Sequence, residues 1–408
     1  MSIISEFLDR HGLNPAALDP CVEAGKMVLH MKSALDGSII DMPMVNTYLS
    51  FSGRIPEGKA AVVIDAGGTN FRCGLARFVD GKCCIGSVST CKMPGIDAPA
   101  TWDEFISFVA DSIAPLLNEA EVIGFCFSYN AVITPDKDGI VETMDKEVKI
   151  TGSEGKLIGA SLLADLEKRG ITGKRVIILN DTVAALLGGF ANECAEDYSD
   201  VIGMICGTGF NTCCMVNSRL INMESGCYGG LPGGDVDAAV DADSLQPGEK
   251  LQEKKVSGAY LGLIFREAIK AAVTDGILSA AVLDRLAAID RVDGSVVDAI
   301  ACGEDRWSLF GNADELEFAK HLCLALFERS ARCACTTILA ILQMNDTGRN
   351  KPACICAEGS LIGRSRYFLD FLNRLLDRYV REESGIDCRI LLGHDTTLPG
   401  SAAAALTN

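Results

Sequence analysis

Val62-Val63-Ile64-Asp65-Ala66-Gly67-Gly68-Thr69-Asn70-Phe71-Arg72 runs from an apolar segment of strand type into a carboxylate, two glycines, a hydroxyl and an amide. Glycine reaches positive φ easily and lets backbone N–H groups close on a bulky anion. Asp65 is of the type that holds magnesium through water, and Thr69 and Arg72 carry donors for phosphate oxygens. Taken alone, the string is explained equally well by a tight turn with no ligand.

A second stretch tips that balance. Val201-Ile202-Gly203-Met204-Ile205-Cys206 leads into Gly207-Thr208-Gly209-Phe210-Asn211, and Thr212-Cys213-Cys214-Met215-Val216 follows. Both stretches read strand, glycine–threonine turn, strand, with Gly207 lying 140 residues beyond Gly67. That spacing exceeds the ~20–50 residues of a solenoid repeat and suits two related halves of one enzyme. Two such turns facing each other across a cleft grip a nucleotide's phosphates from both sides. Phosphate handling is the leading expectation.

Bulk properties agree. A chain of 408 residues points to two or three domains with ample core, and 48% hydrophobic with 23% charged residues is ordinary for a globular protein. The net charge of −18 argues against a nucleic-acid partner. ATP remains compatible with it, because the nucleotide arrives with magnesium and meets local N–H donors. No uncharged apolar run approaches the ~20 residues of a membrane span, so no membrane partner is expected. Met1 to Arg10 has acidic residues and no basic-then-apolar signal pattern, which makes a cytoplasmic location the expectation. Monomer and homodimer are both left open.

The 18 cysteines are scattered, and Cys126, Cys206, Cys213 and Cys214 sit inside apolar runs. They read as small buried hydrophobes in a reducing compartment. The pairs Cys333/Cys335 and Cys354/Cys356 have C-x-C spacing, with no histidine close by, and favour packing over zinc.

Residues 5–35 carry helical patterning, and strands are expected at 61–65, 72–79 and 82–88. A helix follows around 101–118, then a buried strand, Val122-Ile123-Gly124-Phe125-Cys126-Phe127. Residues 134–140 form a turn cluster, 157–169 read as a helix, Arg175 to Leu179 as a strand, and Thr182 opens another helix. Beyond residue 250 the pattern is mostly helical, with short strands at 353–357 and 388–392. Strands then helices, twice over, indicate two α/β lobes.

Leu179-Asn180-Asp181-Thr182 places a polar pair at the end of a buried strand, where open α/β folds put ligand contacts. Capping of the following helix is the competing role for Asp181 or Thr182. The four histidines, His11, His30, His321 and His394, lie in no motif, so a carboxylate must do any general-base work. Phosphoryl transfer needs an acceptor hydroxyl in line, a carboxylate for its proton, and positive charge on the phosphates. Asp181 fits the base, and Asn180 and Asn211 can each donate and accept hydrogen bonds with a polyol. Glu224 and Glu253 add carboxylates of the kind that accept from vicinal hydroxyls.

Together these residues resemble a hexokinase, a member of the sugar-kinase/actin/Hsp70 superfamily. Asp65 to Arg72 is similar to that family's first phosphate motif, and Met44-Val45-Asn46-Thr47-Tyr48 resembles the Met-Leu-Pro-Thr-Tyr before it. Phe125-Cys126-Phe127-Ser128 resembles the start of the Phe-Ser-Phe-Pro sugar segment, which makes Ser128 a sugar contact. Asn180-Asp181-Thr182 matches the family's Asn-Asp-Thr, whose aspartate is the catalytic base. Gly207-Thr208-Gly209-Phe210-Asn211 resembles the second phosphate loop, ending in an asparagine on the sugar. Glu224 matches the glutamate of Asn-x-Glu-Trp-Gly and Glu253 that of Glu-Lys-x-x-Ser-Gly-x-Tyr-Leu-Gly. Ala357-Glu358-Gly359-Ser360 looks like the Asp-Gly-Ser of the adenosine segment, and Gly400-Ser401-Ala402 like the closing glycine–alanine helix start. The likeness runs in register from about residue 44 to the end.

The resemblance implies an α/β fold of two ribonuclease-H-like (actin-like ATPase) lobes around a central cleft. The expected division is 1–50 as a helical segment on the large lobe, 51–180 as the small lobe and 181–408 as the large lobe, with the C-terminal helix returning to the small lobe. It implies transfer of the ATP γ-phosphoryl group to the 6-hydroxyl of a hexose, glucose first, as in glycolysis, with Asp181 as base. Ser128, Thr143, Lys146, Asn180, Asn211, Glu224 and Glu253 would hold the sugar. Asp65, Gly67, Gly68, Thr69, Asn70, Arg72, Gly207, Thr208, Gly209, Gly359, Ser360, Gly400 and Ser401 would hold nucleotide, with Mg2+ near Asp65 through water.

Three departures gather around the sugar. Trp-Thr-Lys-Gly-Phe of the family appears as Glu142-Thr143-Met144-Asp145-Lys146, with Lys146 displaced by two positions. The proline after Phe-Ser-Phe is gone, since the chain reads Ser128-Tyr129-Asn130, and Ser225 replaces the tryptophan after Glu224. Catalysis is expected intact and sugar choice altered: mannose, fructose or an amino sugar is the alternative substrate, and a non-catalytic sugar sensor the alternative class.

Overall fold

The computed structural model describes residues 2–38, 41–50, 55–144, 148–191 and 197–408. Its centre is a pair of sheets built to one plan. In the first, Ala60–Gly67 lies between the antiparallel hairpin partner Asn70–Val79, continued by Lys82–Lys92, and the parallel strands Val122–Phe127 and Arg175–Leu179. In the second, Asp200–Cys206 lies between the antiparallel Phe210–Val216, continued by Arg219–Asn222, and the parallel Ala353–Glu358 and Cys388–Leu392. Each sheet thus runs three antiparallel strands and then two parallel ones, the second adding the two-residue strand Val45–Asn46 antiparallel on its edge, and this is the duplication that the paired glycine turns announce. Val122–Phe127 is buried throughout, as expected of a parallel strand covered on both faces.

The helical patterning over 5–35 resolves into two helices, Ile3–Arg10 and Pro20–Leu35. Gly12 takes φ 66 and abuts the Gly234 backbone, and Pro15 and Pro20 cannot donate within a continuing helix. Both helices pack on the 33-residue helix Ala313–Asn345, in the core around the second sheet.

Between the sheets lie the helices Asp181–Phe190 and Thr397–Thr407, whose apolar sides (Val183, Leu187, Leu398, Ala402) join Ala61 and Val63 of one sheet to Cys213 and Leu220 of the other. They cross at backbone distance: a Cβ at Gly400 would stand 2.0 Å from Ala184 O, so only glycine fits. Among the described residues no helix is long and apolar enough to cross a membrane. None of the 17 described cysteines is in a disulfide; Cys354 and Cys356 lie buried on one strand with Sγ atoms 3.7 Å apart.

Candidate active site

Asp181 stands where the apolar strand Arg175–Leu179 ends and its helix begins, so backbone geometry fixes its place. Asn180 is the N-cap, its Oδ1 accepting from Thr182 N at 2.8 Å, and Asp181 Oδ1 accepts from the same N–H at 2.8 Å. The fully buried Thr182 also donates its hydroxyl to Asp181 Oδ1 at 3.3 Å. The capping role that the sequence offered to Asp181 or Thr182 thus falls to Asn180.

A chain of amides leads from the second glycine turn to Glu224. Asn211 Oδ1 accepts from Thr212 N (2.7 Å) and Ser225 N (3.1 Å), and its Nδ2 donates to Asn222 Oδ1 at 2.8 Å. Asn222 Nδ2 donates in turn to Glu224 Oε1 at 2.7 Å. Glu224 has the left-handed φ of 52, uncommon for a residue with a side chain. Burial pushes its carboxyl up; the Asn222 hydrogen bond and the charge of Lys250 oppose this, while Asp181 and Glu253 add to it. Glu253 reaches the same place from the helix Leu251–Val256, which packs on the turn Ser225–Cys227 directly after Glu224. Glu253 Oε2 accepts from Phe210 N at 2.9 Å, and a Cβ at Gly209 would lie 2.8 Å from that oxygen, so the glycine makes room for the carboxylate.

The first turn is braced by charge. Asp65 Oδ2 accepts from Arg72 Nε (3.1 Å), Arg72 Nη2 (2.7 Å) and Thr397 Oγ1 (3.1 Å). Arg72 Nη1 reaches Asp395 Oδ1 at 2.9 Å and Nη2 reaches Thr397 Oγ1 at 2.8 Å. Its guanidinium, expected on phosphate, is turned toward protein oxygens, and it rivets the hairpin to the start of the C-terminal helix. Thr69 and Asn70 are exposed at the tip, Gly68 takes φ 56, and Tyr129 Oη donates to Gly68 O at 2.9 Å. Gly67 abuts the half-buried Ser128.

Gly207 abuts Gly359 and the backbone N of Ser360, while Thr208 is exposed at the tip. Beside them a cavity of about 340 Å³ is lined by Glu358, Gly359, Ser360, Arg364, Leu392 and His394. Glu358 ties its far wall together, accepting from Asp395 N (3.1 Å), Thr396 N (3.2 Å) and Thr396 Oγ1. Gly400 and Ser401 are not in this lining: both are buried at the helix crossing, and Ser401 Oγ donates to Thr397 O at 2.8 Å. Their place is explained by packing. Thr143 is exposed at the end of the hairpin Asn130–Ile133/Gly139–Thr143, with Asn130 Nδ2 donating to its Oγ1 at 3.3 Å; Lys146 lies outside the described residues.

Sequence reasoning missed Asn222, Tyr129, Lys250, Asp395 and Thr397. Asn222 carried a signal, since it stands two residues before Glu224, the spacing that puts strand residues on one face. Asp395 and Thr397 carried none, being more than 320 residues from the groups they meet.

Residues 3–190 and 201–407 match two family models, each described as Hexokinase. Hexokinase-1 of Schizosaccharomyces pombe is 27% identical over 409 residues, covering 89% of this chain and 82% of that protein. Hexokinase-1 of Nicotiana tabacum is 26% identical over 400 residues, covering 86% of this chain and 78% of that one. Among solved structures, a Schistosoma mansoni hexokinase complexed with glucose superposes with a TM-score of 0.78 at 23% identity, over 99% of both chains. A fold of two sheets on one plan, carboxylates beside the second glycine turn and these likenesses lead to one assignment: the chain belongs to the hexokinase family, with the actin-like ATPase fold, and is a hexokinase-type phosphotransferase.

Proposed function

We propose that this hexokinase transfers the γ-phosphoryl group of ATP to the 6-hydroxyl of a hexose, glucose first, with Asp181 as general base. The observation that carries it is the meeting of Asp181, Glu224 and Glu253 beside the second glycine turn, with Asn180 and Asn211 supplying amides. Carboxylates accept from the sugar's hydroxyls and amides both give and accept, so the pocket suits a polyol. Ser128 and Thr143 would add hydroxyls to that set. As the phosphorus–oxygen bond forms, Asp181 takes the hydroxyl proton. Backbone N–H groups at Gly67, Gly68, Thr69 and Gly209 face the phosphates, the Gly207 N–H being held within the turn by Gly209 O, and the cavity at Gly359 and Ser360 takes the nucleoside.

Magnesium, which such a phosphotransferase implies, fits the residues present. Asp65 commits Oδ2 to Arg72 and Thr397, while Oδ1 has no hydrogen bond among the described residues and lies on the Gly67 side. One hard oxygen suits an ion held mainly by water and phosphate, where it would neutralise phosphoryl charge. Residues 51–180 and 181–408 act as two lobes that close on sugar and exclude water; a radius of gyration unchanged by glucose would count against closure.

The test is ADP release from MgATP against a hexose panel, with Asp181→Asn alongside. The mutant should lose about 10²–10⁴-fold in kcat while its calorimetric glucose affinity survives. Undiminished turnover would remove Asp181 as base. Turnover on mannose, fructose or an amino sugar alone would move the substrate, and sugar binding with no turnover would favour a sensor.

A further inference from the structure

The helix Leu251–Val256 delivers Glu253 to the sugar pocket, and the residue that opens it is Lys250. Lys250 has φ 50 and ψ 40, the left-handed region that a lysine seldom adopts and that marks backbone held by its surroundings. It stands three residues before Glu253 at the start of that helix, its carbonyl accepting from Lys254 N at 3.0 Å. The helix lies against the turn Ser225–Cys227 that follows Glu224, where a Cβ at Gly226 would be 3.1 Å from Glu253 Cβ.

The lysines of this segment divide sharply. Lys254 Nζ is bound to Asp241 Oδ1 at 2.5 Å and to Gln246 O at 2.7 Å, and Lys255 Nζ reaches Leu231 O at 3.3 Å. The half-buried Lys250 makes no hydrogen bond or ion pair with a described residue. It stands at the head of the helix that packs on the turn after Glu224, and its charge is felt at Glu224.

We propose that Lys250 is a specificity-determining residue of the sugar pocket, accepting neutral hexoses and turning away hexoses that carry an ammonium group. This rests on the hexose-phosphorylating reading above. Asp181, Glu224 and Glu253 alone would draw a cation into the pocket, and an amino sugar would profit from them. A fixed ammonium beside them repels the substrate's ammonium while donating to the hydroxyl oxygen of a neutral sugar.

The experiment compares kcat/KM for glucosamine and glucose in wild type, Lys250→Gln, Lys250→Gly and Lys250→Arg, at a pH where glucosamine is protonated. Lys250→Gln and Lys250→Gly should raise the glucosamine-to-glucose ratio about tenfold, a change of ~1.4 kcal/mol; Lys250→Arg should keep the wild-type ratio. The glycine variant relieves the left-handed strain, so agreement with the glutamine variant assigns the effect to charge. A second readout is the acid limb of kcat/KM for glucose. Glu224 is faced by Asn222 from its strand, Asp181 from the neighbouring helix, and Lys250 and Glu253 from the helix packed on its turn. Loss of the only cation in that set moves the limb to higher pH in Lys250→Gln and not in Lys250→Arg. A ratio unmoved by both Lys250→Gln and Lys250→Gly overturns the proposal while leaving hexose phosphorylation standing. Wild type that turns over neither sugar overturns the function instead, and calorimetric glucosamine and glucose affinities then decide Lys250 by the same ratio. Binding of neither sugar overturns both.

Discussion

The turn after Ala60–Gly67 and the turn after Asp200–Cys206 occupy the same position in sheets of the same strand order, yet they are braced by different chemistry. Behind the first stand Asp65, Arg72 and Asp395, an ion network that reaches the start of the C-terminal helix. Behind the second stand Asn211, Asn222 and the two glutamates, a chain of amides and carboxylates with Lys250 at its edge. On the function proposed above, one scaffold, used twice, is divided behind its turns between charge for phosphate and metal and hydrogen bonding for a polyol. The fold supplies the repeat; the side chains behind each turn set what it holds.

That division can be broken one turn at a time. Asp65→Asn removes the charge that holds Arg72 and should lower kcat on the order of 10²–10³-fold with sugar affinity unchanged; a selective rise in sugar Kd would contradict it. Gly209→Ala puts a Cβ 2.8 Å from Glu253 Oε2 and should act on the other side. A sugar KM raised about tenfold, with nucleotide KM nearly constant, is the expected result, equivalent to ~1.4 kcal/mol. Equal effects on both KM values would erase the distinction between the turns.

The smallest effect is on stability. Burial holds the Glu224 carboxyl above its unfolded value, so between the two values the folded chain binds the extra proton. Stability from this group is therefore present below the unfolded value and lost as pH rises through the folded one. At neutral pH Glu224→Gln should raise the denaturation midpoint, by on the order of 1 kcal/mol, while weakening sugar binding. An unchanged midpoint would show that Glu224 is relieved by its neighbours rather than strained.

Local chemistry was legible in the sequence and distant pairing was not. The apolar run into Asp65, the glycine turns and the helix start at Asn180–Thr182 each announce themselves within about ten residues, because turn and cap preferences are local, although the cap itself falls on Asn180 and not on Asp181 or Thr182. The strand expected at 82–88 extends to Lys92, since Ser89, Thr90 and Lys92 lie on an exposed edge and give no apolar signal. The residues flanking the 134–140 turn form short strands, largely exposed, that alternation over four or five positions does not reveal. Arg72 shows the deeper limit. Its type fits phosphate, and only the folded chain brings Asp395 and Thr397, from the far end of the sequence, to claim it.

The helix Thr397–Thr407 also has a consequence in time. It covers strands Ala60–Gly67 and Val122–Phe127, with Ser401 O so near the Gly124 position that a Cβ there would stand 2.0 Å away. The later of those strands leaves the ribosome some 270 residues earlier than its cover, which at about 5–20 residues per second is roughly 14–54 s of synthesis. Until the last segment emerges, the first sheet presents an apolar face to the cell, and its early folding depends on shelter that the finished molecule no longer needs.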